Sequence, residues 1–299
     1  MGVVAAATVA AADRLPIDKR PGDPFPYLLV APAAVLVGSF TILSLIFTGI
    51  ISLTDWDVAR RGISFIGFNN YVRAFFDEEL TRSWARSVVF VLSVTVLSAM
   101  IGFLLAVAVN RKFQGQGIVR AMIVVPWVIS ELATGVFWMI LLMPDAPLGA
   151  VTGGPLTTTK GAMFALIMVE TWRSIGFAMV IVLASLQAID ESLYEAARID
   201  GASGWQQTWL ITFPLVSPSL LVVSILLMIG NFNLVTIIIA LTGGGPIDAT
   251  TTVALHMYQH SFQYFHIGYG STIAILMSVV NVVAMLGFIW LQRGYGARN

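Results

Sequence analysis

The sequence predicts an all-α membrane protein with six transmembrane helices. Of its 299 residues, 58% are hydrophobic and only 11% are charged, and several uncharged apolar runs reach the roughly 20 residues that a helix needs to cross a bilayer. Backbone groups in lipid must satisfy one another's hydrogen bonds, so we expect these runs to be helices and not isolated strands. The chain contains no cysteine, which excludes disulfides and cysteine-ligated metals. Its formal net charge is zero, which gives no indication of nucleic-acid binding.

The six apolar runs define the expected organisation of the chain. We place the spans at residues 27–53, 85–109, 118–143, 161–189, 211–241 and 270–291. The transmembrane domain therefore covers 27–292, between an N-terminal tail at 1–26 and a C-terminal tail at 293–299. The alanine-rich start of the first tail is too short to span and has no preceding basic segment, so we do not interpret it as a cleaved signal peptide.

The distribution of lysine and arginine predicts the orientation of the chain. With both termini in the cytoplasm, more basic residues fall on the inner side than on the outer side, as the positive-inside rule requires. The last outer loop, 242–269, contains no lysine or arginine at all. We therefore expect a multi-pass protein of the cytoplasmic membrane, with both tails and the segment 190–214 inside the cell.

The most distinctive polar segment is 195–218, with the sequence EAARIDGASGWQQTWLITFPLVSP. Ala196, Ala197 and Ile199 can form the apolar side of a short helix, and Gly201 offers the left-handed or closely packed backbone that ends it. An apolar pattern then resumes and leads into the next span. These features predict a helix-turn-helix between two spans, and composition alone leaves open that it is only an amphipathic connector.

The spacing in this segment resembles the EAA loop of permease subunits in binding-protein-dependent ATP-binding-cassette (ABC) importers. The pattern E-A-A-x3-G-x9-I-x-F-P begins at Glu195, with Gly201 at the family's glycine position and Phe213 where leucine is usual. Further stretches resemble the carbohydrate branch related to MalF and UgpA, and within it the actinobacterial trehalose importers. They are SLTDW, IGFNNYVRAF, VVPWVI, LASLQAIDESLYEAARIDGAS and LTGGGP.

The resemblance implies the architecture of a type I ABC importer permease, with 190–214 as a cytoplasmic coupling loop. It implies a second permease subunit, two ABC ATPase subunits that dock on the coupling loops, and an extracytoplasmic sugar-binding protein. ATP and magnesium would be bound by the ATPase subunits, and this chain has no G-x-x-x-x-G-K-[ST] phosphate loop. We expect no cofactor here and no enzymatic activity. The expected coupling residues are Glu195, Ala196, Ala197, Asp200 and Gly201.

Three ionisable residues, Glu131, Glu170 and Arg173, fall within the predicted spans, where charged side chains are costly and are usually functional. Glu170 and Arg173 are three residues apart and can pair on one helix face, which Ser174 and Phe177 extend by a turn. A carboxylate, a guanidinium, a hydroxyl and an aromatic ring suit a sugar, which needs hydrogen-bonding partners and an apolar surface. The alternative is that the pair only holds spans together. Glu131 has no near partner in sequence.

The resemblance extends this candidate site into the fifth span. Positions that match four residues of this chain line the sugar site of the related maltose permease: Glu170, Ser174, Phe177 and Asn231. We add Arg173, Asn233 and Trp172 because they lie on or near the same face. The predicted substrate-binding set is therefore Glu170, Arg173, Ser174, Phe177, Asn231 and Asn233.

The chain's histidines, His256, His260 and His266, lie close together in sequence. HMYQH places two imidazoles four residues apart, a spacing that can hold zinc on a helix. The segment lacks the glutamate of an HExxH motif, and its only nearby carboxylate is Asp248. We therefore expect a surface helix and no metal centre.

The combined interpretation is a permease subunit that moves a neutral sugar, a disaccharide such as trehalose, by alternating access. One alternative within the same family is import of a glycerophosphodiester or glycerol phosphate. Another is a self-sufficient secondary transporter, which would show related halves and matching broken helices. The sequence contains no second copy of the EAA segment. An intramembrane enzyme would need a catalytic set that is not evident here.

Overall fold

The computed structural model describes residues 25–59, 62–111 and 113–296. Residues 1–24 of the predicted N-terminal tail, 1–26, and residues 297–299 of the predicted C-terminal tail, 293–299, lie outside the described residues. The chain divides into two compact units, Met1–Phe47 and Thr48–Asn299. The described part of the first unit belongs to one apolar helix, and the second unit contains the rest of that helix and all other elements.

The described residues are almost entirely helical, as predicted, and their only β-type pairing is one isolated bridge between Thr54 and Phe65. A 3-10 turn at Pro155–Thr157 and a π turn at Gln259–Gln263 join neighbouring helices, and a second π turn, Thr208–Thr212, lies within α9. The helices are α1 Phe25–Ser52, α2 Asn69–Phe76, α3 Glu78–Val109, α4 Gln116–Val128, α5 Glu131–Leu142, α6 Pro147–Thr152, α7 Thr159–Leu186, α8 Glu191–Ile199, α9 Gly204–Phe232, α10 Thr236–Leu241, α11 Val253–Tyr258 and α12 Ile267–Gly296.

Five of these helices, α1, α3, α7, α9 and α12, are long and apolar enough to cross a membrane. A sixth candidate is the pair formed by α4 and α5, which meet at an angle of 96°. The span predicted at 118–143 therefore consists of two helices with a sharp bend between them. Ile129 and Ser130 adopt extended backbone between the two helices, and such irregular backbone at membrane depth is tolerated where it is buried or lines a cavity.

The bounds predicted for the fifth span, 211–241, differ from those in the structure at both ends. Helix α9 begins already at Gly204 and stops at Phe232, and α10 follows after a break. At this break the side-chain amide of Asn233 donates to the carbonyl of Ile229, with an N–O distance of 2.7 Å. A side chain that satisfies a carbonyl at the helix end stabilises the termination of the helix within an otherwise apolar sequence.

Helices α3 and α7 form the centre of the second unit. Two clusters of buried apolar side chains surround them, one including Phe90 and Leu166 and the other including Phe103 and Met179. At Gly102 the helices approach so closely that an added Cβ would lie 2.6 Å from the Cβ of Ala178. A small residue is required at this crossing, which fixes α7 and the side chains that it presents.

Candidate functional site

The predicted pair on α7 is formed, with Glu170 fully buried. Arg173 donates from Nε to Oε2 of Glu170 at 2.9 Å and from Nη2 to Oε1 at 2.8 Å. Ser174 donates its hydroxyl to the same Oε1 at 2.8 Å. A bidentate guanidinium and a hydroxyl thus provide the hydrogen bonds that a buried carboxylate requires.

Glu131 joins this pair from a different helix. The bend after α4 places it in the first turn of α5, where its Oε1 lies 3.5 Å from Nη2 of Arg173. Its side chain is 34% exposed, compared with 14% for Arg173 and 0% for Glu170. Arg173 therefore contacts two carboxylates, and Glu131 is the more accessible of the two.

An open cavity of about 170 Å³ lies beside these charges. Its lining includes all three charged side chains, Ser174 and Phe177 from α7, and residues of α4 and α9. The ring of Phe177 packs against Trp127 with centroids 5.3 Å apart. The cavity therefore combines charged groups with an aromatic pair, and Trp127 is a member that the sequence did not identify. The sequence feature that could have identified Trp127 is its position directly after Pro126, near the bend.

Asn231 also lines the cavity, and it is buried. Its side-chain Nδ2 has no hydrogen-bond partner in the described structure. Leaving a buried amide donor unpaired costs about 1–3 kcal/mol. Such a donor beside a cavity is available to a polar group that enters the cavity.

Two other residues that the sequence placed near the site lie outside this cavity. Asn233 is exposed; besides its bond to Ile229, its Oδ1 accepts from Nδ2 of Asn281 at 3.4 Å. Trp172 packs edge-on against Trp138, with centroids 5.5 Å apart. The structure thus brings together Glu170, Arg173, Ser174, Phe177 and Asn231, with the addition of Glu131 and Trp127.

The predicted helix-turn-helix follows α7. Asp190 caps α8 by accepting from the backbone N–H of Ser192 at 2.9 Å, and this bond lowers the pKa of Asp190. Gly201 ends the motif's first helix with φ of +78°, which is the left-handed one of the two conformations that the sequence left open. Ser203 and Gln206 then form a capping box at the start of α9.

The surface of this motif is open. Glu195, Ala196, Asp200 and Gly201 are exposed, and Ala197 is half-buried. Apolar side chains are exposed as well, with Ile199 at 87% and Trp205 at 71%. The apolar side expected for α8 is therefore not covered within this chain. It is available for another protein.

Comparison with known proteins identifies the family. Residues 98–296 match the model of the binding-protein-dependent transport system inner membrane component. The chain belongs to this family. The permease is thus a multi-pass protein of the inner membrane and a transport component, not an enzyme.

Curated relatives cover nearly the whole permease. It is 33% identical to the trehalose/maltose transport system permease protein MalF of Thermococcus litoralis, over 91% of this chain and 94% of the relative. It is 30% identical to the sn-glycerol-3-phosphate transport system permease protein UgpA of Agrobacterium fabrum, over 90% and 94%. It is 28% identical to the trehalose transport system permease protein SugA of Mycobacterium tuberculosis, over 89% and 87%.

The fold of the permease is shared with a solved importer. A chain of the bacterial alginate ABC transporter in complex with alginate pentasaccharide-bound periplasmic protein superposes with a TM-score of 0.76, at 20% identity, over 88% of this chain and 92% of that one. A chain of the MetNI methionine ABC transporter gives a TM-score of 0.53, at 19% identity, over 74% and 99%. The predicted type I importer architecture is confirmed.

The three histidines of the permease form an aromatic cluster. The ring of His260 lies 4.6 Å from that of His256 and 5.7 Å from that of His266, measured between centroids. His256 is buried in α11, so the expected surface helix was wrong at this residue. Burial lowers the pKa of His260 to about 4, which keeps it neutral at physiological pH. Among the described residues no group of three or more histidine or acidic side chains is arranged for a metal ion.

Proposed function

We propose that this permease carries a neutral sugar, a disaccharide such as trehalose, into the cytoplasm as a subunit of an ABC importer. The observation that carries the proposal is the buried, unpaired amide of Asn231 beside the Glu131, Arg173 and Glu170 charges in one cavity. Sugar hydroxyls can accept from this amide and donate to the accessible carboxylate. The named substrates of the MalF and SugA relatives support a sugar of this size.

The charges of the cavity favour a neutral substrate over an anionic one. Two carboxylates and one guanidinium give the group a net negative charge, and Arg173 is already paired with both Glu170 and Glu131. A phosphate would need a free guanidinium and would be repelled by the accessible carboxylate. Glycerol phosphate, the substrate named for the UgpA relative, is therefore the second candidate.

The size of the cavity supports a second permease subunit. Its volume of about 170 Å³ is below the roughly 300–1,000 Å³ of pockets that enclose a small molecule. This chain would therefore supply one wall of the site, and a similar partner would supply the other. A site shared between two subunits opens when they move apart, as alternating access requires.

The coupling loop provides a mechanical route to the cavity. Helix α9 runs from Gly204, directly after the exposed motif, through the π turn at Thr208–Thr212 to Phe232, and it carries Asn231 near its end. We propose that one of two ATPase subunits docks on the exposed side of Glu195 to Gly201 and moves α9 as a lever, while the other docks on the coupling loop of the second permease subunit. This loop and both tails, 1–26 and 293–299, would face the cytoplasm, and an external binding protein would deliver the sugar.

Uptake of labelled trehalose, maltose and a glycerophosphodiester by cells that depend on this transporter tests the proposal. We expect the sugars to be taken up and Asn231→Ala to lower sugar uptake about 5- to 12-fold, since one hydrogen bond contributes about 1–1.5 kcal/mol. Asn233→Ala is the matched control, because Asn233 lies outside the cavity. Better uptake of the phosphodiester, or equal effects of the two alanine variants, would contradict the proposal.

A further inference from the structure

Helix α2, Asn69–Phe76, presents an uncovered apolar face. Phe68, Val72, Phe75 and Phe76 are 71%, 55%, 81% and 77% exposed. Val72, Phe75 and Phe76 follow Phe68 by four, seven and eight residues, which places the four side chains along one side of a helix. Phe65, held by the bridge to Thr54, is 77% exposed nearby. We call these five side chains the aromatic face. They form an apolar patch whose exposure to water is unfavourable.

The opposite face of α2 is fixed to the rest of the protein. Asn70 donates its side-chain amide to the carbonyls of Ser52 and Thr54, at 2.9 and 2.8 Å. Ala74 is buried, and the guanidinium of Arg73 lies 4.2 Å above the ring of Tyr269. The aromatic face is therefore a fixed surface and not part of a loose loop.

The location of α2 determines what this surface meets. Ser52 is the last residue of α1, and Asp77 caps α3 directly after Phe76. Tyr269, which donates to Asp77 at 2.6 Å, lies in the first turn of α12. Three membrane-spanning helices thus end or begin around α2, at the end of the bundle opposite the coupling loop. At that depth the surroundings are the lipid headgroups and the upper acyl chains.

We propose that α2 is an interfacial helix whose aromatic face inserts into the membrane surface at the boundary between headgroups and acyl chains. Aromatic side chains favour this zone, and a helix with one apolar face lies in it parallel to the membrane. Glu78 and Arg82, whose side chains are 83% and 64% exposed and pair at 3.0 Å, begin the adjoining helix and mark the water side. Lipid contact would thereby hold the ends of α1, α3 and α12 at a constant depth.

The absence of cysteine from the chain allows a direct test with single spin labels. Phe75→Cys and Val72→Cys place a nitroxide on the aromatic face, and Glu78→Cys is the matched control on the water side. The full chain, purified with its bound subunits, is reconstituted in vesicles of phosphatidylethanolamine and phosphatidylglycerol. Collision rates with oxygen, which concentrates in lipid, and with a water-soluble nickel chelate are then measured by electron paramagnetic resonance.

We expect labels at 75 and 72 to collide more often with oxygen than with the nickel chelate, and the label at 78 to show the reverse preference. Equal preference at 75, 72 and 78 for the nickel chelate would place the aromatic face in water. Protection of 75 and 72 from both reagents would show that protein covers this face. Either result would overturn the proposal. All three replaced side chains are exposed, so the substitutions leave the packed core unchanged.

Discussion

Arg173→Met should be among the most damaging single substitutions near the cavity. It removes two charge-assisted hydrogen bonds and leaves the fully buried carboxylate of Glu170 with only the hydroxyl of Ser174. Removing one partner of a buried ion pair costs about 3–5 kcal/mol. Glu131 cannot compensate, because it carries the same charge as Glu170. We therefore expect Arg173→Met to lower the free energy of unfolding by about 3 kcal/mol or more.

A second substitution separates the effect of losing the ion pair from the other effects of Arg173→Met on stability. Combining Arg173→Met with Glu170→Gln replaces the buried charge by a neutral amide that can still accept from Ser174. The double variant should therefore be more stable than Arg173→Met alone by about 2 kcal/mol. Glu131→Gln is the control, and its partly exposed contact at 3.5 Å predicts a change below about 1 kcal/mol.

Equilibrium unfolding in mixed detergent micelles measures all four proteins under the same conditions. The expected order of stability is wild type, then the double variant, then Arg173→Met, with Glu131→Gln close to wild type. If Arg173→Met costs less than about 1 kcal/mol, or if the double variant is the least stable of the set, the buried pair does not stabilise α7 as described.

Other substitutions test the coupling loop, the helix packing and the histidine cluster. Gly201→Val should cost about 1–2 kcal/mol because φ is +78°, and should reduce co-purification of ATPase subunits, whereas Gly204→Ala should retain them. Gly176→Ala should lower the unfolding midpoint, because its Cβ would lie 2.6 Å from the carbonyl oxygen of Ile123 and α4 would have to shift. Gly230→Ala is the control and should leave the midpoint unchanged, because no atom lies within 4 Å of the added Cβ. Because His260 has a pKa of about 4 when folded and an ordinary value of 6.5, stability should fall as pH drops from about 6.5 to 4. The full effect would be about 3 kcal/mol, which the partial exposure of His260 reduces to about 2 kcal/mol; an unchanged pH slope in His260→Gln would contradict this.

Features that depend on residues close together in the sequence could be predicted. Glu170 and Arg173 are three residues apart on one helix, so their pairing follows from helical geometry alone. Gly201 could likewise be assigned a positive φ, because a helix end followed by a second helix favours glycine there. The contact between Glu131 and Arg173 could not be predicted. It depends on the 96° bend between α4 and α5.

Hydrophobicity also could not locate the helix ends. The run 211–241 is hydrophobic and contains no charged residue, but the backbone breaks after Phe232, and the break decides which asparagine faces the cavity. Asn231 is the last buried polar residue before it, and Asn233 lies within it and points outward. Similarly, the start of the apolar run at 211 indicates where the chain enters the lipid, but it does not indicate where the helix begins. Helix α9 begins earlier, at Gly204.

We propose that the permease moves a neutral sugar only when partner ATPases drive it. Accumulation of labelled trehalose in proteoliposomes tests this claim most directly, with the permease alone under an imposed proton or sodium gradient and with its partner permease, ATPases, binding protein and ATP. We expect accumulation only in the complete, ATP-supplied system, and no comparable accumulation of glycerol phosphate. Accumulation by the permease alone on an ion gradient, or preferential transport of glycerol phosphate by the complete system, would contradict the claim.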